Sequence, residues 1–283
     1  MGSRSKFNTT PMTDPIHEVV LCLGYVKNGE FWGCGSGVMI SPSFILTARH
    51  VVENCYLKSG VKPEDADFSI IAFQVLHTSQ KGNIYQVRKI TYNNYIQNDL
   101  ALLYITPYLA QTPTNFAPVI SLKQLSSKDK IDCFGHSRPN MQIKEENICE
   151  WFTDGKSSSG LVEDFHINGR GIFKFMGYST NMRSLDGMSG GGVFHEGCLV
   201  GVINGDLDIG DGNSDTRQEG SLFFSSLAPF LLFKLDVTLP ELNISNQSLY
   251  VYQLIELGYF VKNARYDIGI ITDSEGTPKE LRF

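Results

Sequence analysis

The sequence predicts an all-β chain laid out as two successive blocks of short strands, and three observations carry that prediction. From Val19 to Thr106, β-branched and aromatic runs recur, each closed by Gly, Pro, Asn or Asp. A stretch holding Pro107, Pro113 and Pro118 then interrupts them, and a second series of such runs follows from Lys130 to Phe224. About six strands at this spacing suit a small barrel or sandwich. No amphipathic helix of ordinary length is expected in the first block.

In order, the first block predicts strands over 19–25, 37–40, 44–47, 68–73, 85–91 and 100–105. Ser41-Pro42-Ser43 is a tight turn, with the proline where no ladder donor is needed. The second block predicts strands over 130–134, 147–152, 160–167, 171–176, 192–194, 198–203 and 221–224. A helix is expected over 226–235, capped by Ser226, then a helix over 249–257 and a strand over 267–272. The organisation follows: a flexible tail 1–14, a first unit 15–110, a linker 111–124, a second unit 125–236 and an extension 237–283. Composition assigns the extension no role; a lid, a docking surface for a regulatory partner and the start of a further domain all stay open.

At 283 residues, with 42% hydrophobic and 19% charged content, the chain has enough apolar surface for one or two sizeable cores. Its net charge of −6 argues against nucleic acid or an acidic membrane as the main partner. No apolar run approaches the ~20 residues that span a bilayer. Arg4 and Lys6 are not followed by an apolar segment, so no secretory signal is visible. Cys22, Cys34, Cys55, Cys133, Cys149 and Cys198 form no C-x-x-C pair, which leaves zinc and redox motifs without support. The tripeptides at Asn8, Asn243 and Asn246 fit N-glycosylation acceptors, which matter only for a secreted chain. The chain implies no cofactor.

Chemistry concentrates in Leu185-Asp186-Gly187-Met188-Ser189-Gly190-Gly191-Gly192. Four glycines around one hydroxyl carry a conformational cost that an acyl-transfer site would explain. They permit a tight turn that exposes the serine oxygen and aims backbone N–H groups at a developing oxyanion. A serine nucleophile needs a base and a group to orient that base. Thr47-Ala48-Arg49-His50, at the end of one expected strand, and Asn98-Asp99-Leu100, at the start of another, offer both. Alone, each piece has an ordinary explanation: a surface histidine, a turn before a strand, a tight glycine loop. Gly187-x-Ser189-x-Gly191 also fits the nucleophile elbow of α/β-hydrolases. That fold needs a helix directly after the serine and a histidine late in the chain. Here glycines and a strand follow, and the last histidine is His195.

The runs Gly35-Ser36-Gly37-Val38 through Thr47-Ala48-Arg49-His50-Val51, Asn98 to Leu103, Gly187 to Gly191, Cys198 to Ile203 and Glu219 to Phe224 resemble, in order, the motifs of the trypsin/chymotrypsin-like serine proteases. The style is bacterial and HtrA-like, without a recognisable PDZ domain, and the likeness covers about 15–235. The resemblance implies two six-stranded antiparallel β-barrels of the chymotrypsin type, with a C-terminal helix and a small extension. It also implies a serine endopeptidase acting on protein or peptide, with His50, Asp99 and Ser189 as triad. The backbone N–H groups of Gly187 and Ser189 would then form the oxyanion hole.

The departures are informative. Met188 stands where animal members carry the aspartate that pairs with a freshly cleaved N-terminus, so activation by such cleavage is not expected. Cys34 falls on a familiar disulfide position, but its partner position is Val51 and Cys55 lies too far along, which implies free thiols and a cytoplasmic setting. The family's pocket-base position, six before the nucleophile, is Arg183; Ile203, Asn204, Gly205 and Gly220 would line the remaining walls. A guanidinium at the base favours an acidic side chain before the scissile bond. The alternative is a loop of different length, with Arg183 in solvent and an apolar pocket. The acidic stretch 206–215 breaks the EF-hand register at Gly210 and reads as a solvated loop. The rival to an enzyme is a catalytically silent or partner-gated protease-fold binding module.

Overall fold

A computed structural model of the chain describes residues 7–11, 13–28, 30–61, 68–77, 82–93, 97–108, 117–145, 148–209, 218–239, 244–259, 269–274 and 278–282. The chain opens with β1 (Asn8–Thr9) and a single helical turn, α1 (Ile16–Val19). The first barrel comprises β2 (Val20–Lys27), β3 (Glu30–Ser41), β4 (Phe44–Ala48), β5 (Ile70–Val75), β6 (Gly82–Tyr92) and β7 (Leu100–Pro107), with helix α2 (Arg49–Ser59) after β4. The second comprises β8 (Lys130–Glu145), β9 (Ile148–His166), β10 (Gly177–Thr180), β11 (Gly192–His195), β12 (Cys198–Ile209) and β13 (Gln218–Ser226). Both are antiparallel and closed. The first runs β3-β2-β5-β6-β7-β4 with β4 returning to β3, and the second β9-β10-β13-β12-β11-β8 with β8 returning to β9. Closure removes the unpaired edges that an open sheet would present. The fold class is the one expected.

Each barrel is filled by the inward residues of its strands. All five residues of β4 are buried, and Leu21, Leu23, Ile45, Leu46, Leu100 and Leu102 are almost wholly sealed from solvent. Barrel two is centred on Ile131, Val162, Met182, Met188, Ile203 and Phe224. The barrels are stitched by β3 and β8, with Glu30, Phe31 and Trp32 opposite Gln142, Met141 and Asn140.

Several expectations need correction. The first block does contain a helix of ordinary length, α2, whose buried Val51, Val52, Cys55 and Ser59 follow helical spacing. The β-branched Val51-Val52 pair reads as a strand end, and the helix N-terminus has no side-chain cap of its own. His50 therefore lies in the first turn of a helix, not at the end of a strand. The same geometry changes one part of the cysteine reading, the separation of Cys55 from Cys34, and leaves the free thiols as expected. Cys55 lies one turn beyond Val51 on the buried face, and its thiol meets that of Cys34. The two are free thiols. Hydrogen bonding between them holds the Cys34 thiol below its ordinary range and pushes Cys55 up.

Within the expected tail 1–14, described residues are docked: Phe7 packs on the core of barrel two and β1 pairs with Lys156 and Ser157. Strand β10 joins β9 only from Val162 onward, so β1 covers an edge that would otherwise be bare. The strand expected at 171–176 lies instead at Gly177–Thr180. Arg170 and Phe173 close a tight turn, and Phe173 and Phe175 pack on Phe223.

The expected helix 226–235 shortens to a 3-10 turn, Ala228–Leu232, whose first amide is accepted by Ser226 Oγ at 3.2 Å. Beyond it Phe233 turns extended into β14 (Lys234–Leu239). That strand pairs with β15 (Ile244–Tyr250); α3 (Val251–Glu256) and the hairpin of β16 (Gly269–Thr272) and β17 (Pro278–Arg282) follow. Leu235, Val251, Leu254 and Ile255 belong to the same core as barrel one. The boundary at 236/237 therefore divides no core.

Candidate active site

The site forms where α2, the start of β7 and the glycine turn before β11 converge. Asp99 precedes β7, in a turn closed by the Leu100 amide donating to Asn98 Oδ1 at 2.9 Å. It supplies the cap that α2 lacks. Arg49 N–H donates to the Asp99 carbonyl and His50 N–H to Asp99 Oδ1, both at 2.9 Å. Two of the orphan amides of a helix start are thus satisfied by a residue distant in the chain, 49 positions from His50. The other carboxylate oxygen accepts from His50 Nδ1 at 2.6 Å, which fixes the ring plane and leaves Nε2 on its outer side. Asp99 is 13% exposed in its side chain and His50 33%: the carboxylate is shielded and the imidazole is open to the cleft.

Ser189 arrives from barrel two. Gly187 and Gly190 adopt φ of 94° and 82°, which an L side chain rarely takes. A Cβ on Gly190 would sit 2.0 Å from the Ser36 carbonyl oxygen, so glycine is required there twice over. The backbone polar groups of the turn are largely used internally. Met188 N–H donates to Leu185 O, Gly190 N–H to Ile203 O and Gly191 N–H to Met188 O. Gly187 O accepts from Ser36 Oγ and Ser189 O from Ser36 N–H. Among the described residues the N–H groups of Gly187 and Ser189, which flank Met188, find no acceptor in the chain, as is also the case for Leu185 and Asp186 at the start of the turn. Gly187 and Ser189 are the expected oxyanion donors, left available for something outside the chain.

Asn204 joins the halves. Strand β12 carries an extra residue here: Ile203 faces Phe224 and Gly205 faces Phe223, which leaves Asn204 bulged out of the ladder. Its carbonyl accepts from Ser189 Oγ at 3.0 Å, its amide donates to Asp99 Oδ2 at 2.7 Å, and its own oxygen accepts from Ser225 Oγ at 3.0 Å. Sequence reasoning put Asn204 on the wall of a substrate pocket; instead the side chain is 3% exposed and supports Asp99. Bulges are invisible in a single sequence, but the neighbouring Gly205, at φ 153°, was the available signal.

The other expected pocket residues separate. Ile203 is fully buried in the core of barrel two, so its side chain meets no substrate. Arg183 is exposed and its neighbour Met182 is the buried residue, which does not suit Arg183 as a pocket floor. Ser184 N–H donates to Asp206 Oδ1 at 2.6 Å, tying the loop that holds Arg183 to β12. Gly205 faces the Phe173 ring and Gly220 lies on β13. Positions 210–215 of the acidic stretch lie outside the described residues.

Met188, where the animal-type aspartate would stand, is fully buried in the core of barrel two. Its environment is apolar, unlike a site for a charged amino terminus.

Comparison with known proteins bears on the fold and the family. Human heparin binding protein shares the fold at a TM-score of 0.51 and 14% identity, covering 79% of this chain and 92% of that one. A mutant of the same human protein gives a TM-score of 0.52 over the same coverage. Rv3671c from Mycobacterium tuberculosis H37Rv, in an inactive mutant form, is 15% identical at a TM-score of 0.45, covering 76% of this chain and 84% of that one. No curated protein matches the chain significantly. The trypsin-like peptidase domain matches residues 35–202, which runs from within β3 into β12 and takes in His50, Asp99 and Ser189. The chain belongs to the trypsin-like peptidase family.

Proposed function

We propose that this protein is a serine endopeptidase that cleaves peptide bonds through an acyl-enzyme formed on Ser189. What carries the reading is one hydrogen-bonded path, Ser189–Asn204–Asp99–His50, beside two unspent backbone amides. Asp99 holds the His50 ring with its proton on Nδ1, so Nε2 is the base. The Ser189 hydroxyl, which here donates to the Asn204 carbonyl, would turn towards Nε2 when a substrate is bound. His50 takes its proton as the oxygen attacks the carbonyl carbon, and Gly187 and Ser189 N–H receive the oxyanion. The proton then passes from His50 to the departing amine, and water repeats the sequence on the ester. A buried, apolar Met188 is consistent with a site assembled without N-terminal cleavage.

The test is labelling of the full chain with a fluorophosphonate probe. Labelling of the wild type and its loss in Ser189→Ala and His50→Ala are expected. A wild type that takes no label would sink the endopeptidase reading and leave a protease-fold binding module.

A further inference from the structure

We propose that Ser36, on β3, is a positioning residue for the oxyanion hole, acting from the opposite barrel; this rests on the endopeptidase reading above. Ser36 is wholly buried and every polar atom it has is engaged. Its Oγ donates to Gly187 O at 2.9 Å and accepts from His136 N–H at 2.9 Å. Its N–H donates to Ser189 O at 2.7 Å, and its carbonyl accepts from Thr47 Oγ1 at 2.6 Å. A hydroxyl has one proton to give, and here it goes to the peptide unit lying between the two donor amides.

That peptide unit, Gly187 C=O to Met188 N–H, is pinned at both ends, by Ser36 Oγ and by the Leu185 carbonyl. The unit after Ser189 is pinned by Ser36 N–H and the Ile203 carbonyl. Ser36 therefore supplies two of the four anchors around Ser189. Its hydroxyl is the only side chain that holds the donor turn among the described residues. Removing it would orphan a carbonyl in the turn and an amide on β8 together, and a buried orphan group is costly. Gly187, at φ 94°, gives the turn freedom to re-aim its peptide planes in response. The consequence is a hole formed only when β3, β8 and the Ser189 turn meet on one hydroxyl. Ser36 has hydrogen bonds to Gly187, Ser189, His136 and Thr47 and none to His50 or Asp99, so the base is expected to be unaffected.

The experiment compares the full-length wild type with Ser36→Ala and Ser36→Cys. It uses amide hydrogen exchange, steady-state hydrolysis of a peptide ester and inhibition by a peptide boronic acid. Expected for Ser36→Ala is exchange at Met188, Gly190 and Gly191 roughly tenfold faster, with α2 and β7 unchanged. Also expected is a roughly tenfold or greater fall in kcat, with KM within about twofold, an unshifted pH midpoint and a parallel loss of boronate affinity. Ser36→Cys keeps the volume with a weaker donor and falls between; it serves equally if the alanine variant does not fold. Wild-type exchange and kcat in both variants, or exchange raised evenly across barrel one, overturn the proposal. A wild type that neither hydrolyses the ester nor binds the boronate fails the endopeptidase reading. Exchange at 188–191 then decides by itself whether Ser36 holds the turn.

Discussion

At the scale of single residues, the site turns on how one carboxylate is satisfied. Asp99 Oδ1 takes a helix amide, while Oδ2 takes both His50 Nδ1 and the Asn204 amide. Hydrogen bonds to a charged group are worth about 1.5–3 kcal/mol, and losing one leaves the carboxylate with a less defined direction. Asn204→Ala is therefore expected to lower kcat roughly 10- to 100-fold with little change in KM. Asn204→Asp should be worse, because it sets a second carboxylate against Asp99 where the amide now sits at 2.7 Å. Steady-state hydrolysis by the three proteins checks this, and wild-type kcat in Asn204→Ala would remove Asn204 from the supporting role. His50, Asp99 and Ser189 were legible in the sequence because each sits in a contiguous run of a resembled motif. Ser36 lay inside such a run and Asn204 directly after one, but their roles depend on partners 151 and 105 positions away. No local pattern encodes those partners.

At the scale of elements, what the sequence hides is whatever the tertiary structure completes. Strands with alternating or fully apolar runs were visible because period and turn residues coincide. Helix α2 was not, since its cap is donated by Asp99, although Gly60 at φ 73° marks its end as a glycine stop should. The extension is the sharper case. Its hairpin β14–β15 and helix α3 read as a separate appendage, yet Val251 and Leu254 are fully buried in the core of barrel one. Tyr259 packs edge-on against Phe44 of β4, and Lys89 of β6 pairs with Asp236 at 2.9 Å. The surface ion pair adds little; the apolar contact is what binds the segment. Leu254→Ala is expected to cost about 2–4 kcal/mol in the unfolding of barrel one itself. Urea titration followed by the fluorescence of Trp32 on β3, in a Trp151→Phe background, reads that transition. A midpoint unchanged from wild type would make the extension a separable module.

At the scale of the molecule, the chemistry depends on two barrels staying in register, because His50 and Asp99 come from one and Ser189 from the other. The seam between them is built on a buried histidine. His136, on β8, is fully buried; its Nε2–H donates to Val20 O of β2 at 2.8 Å and its Nδ1 accepts from Thr153 Oγ1 at 2.7 Å. The ring of His17 packs 5.4 Å away, also fully buried, with neither nitrogen hydrogen-bonded. Asp14 lies near His17, and the Cys22 thiol, which Thr153 also contacts, is pushed up to about 12 by burial. Burial outweighs the Val20 carbonyl at His136, and the Asp14 carboxylate with the Thr10 and Pro11 backbone at His17, so it pushes His136 down to about 4 and lowers His17 as well. The unfolded chain, with ordinary histidines near pH 6.5, then takes up protons before the native state does. Stability is therefore full above pH 6.5, falls as the pH drops from there towards 4, and levels once both states are protonated. For His136 the loss amounts to about 3 kcal/mol over that window. Urea unfolding at pH 7 and at pH 4.5 should show the drop in the wild type. His136→Gln, which keeps a donor and cannot be protonated, should show a smaller one, limited to His17 and the carboxylates. An equal drop in both proteins would mean that the seam does not sense acid through His136.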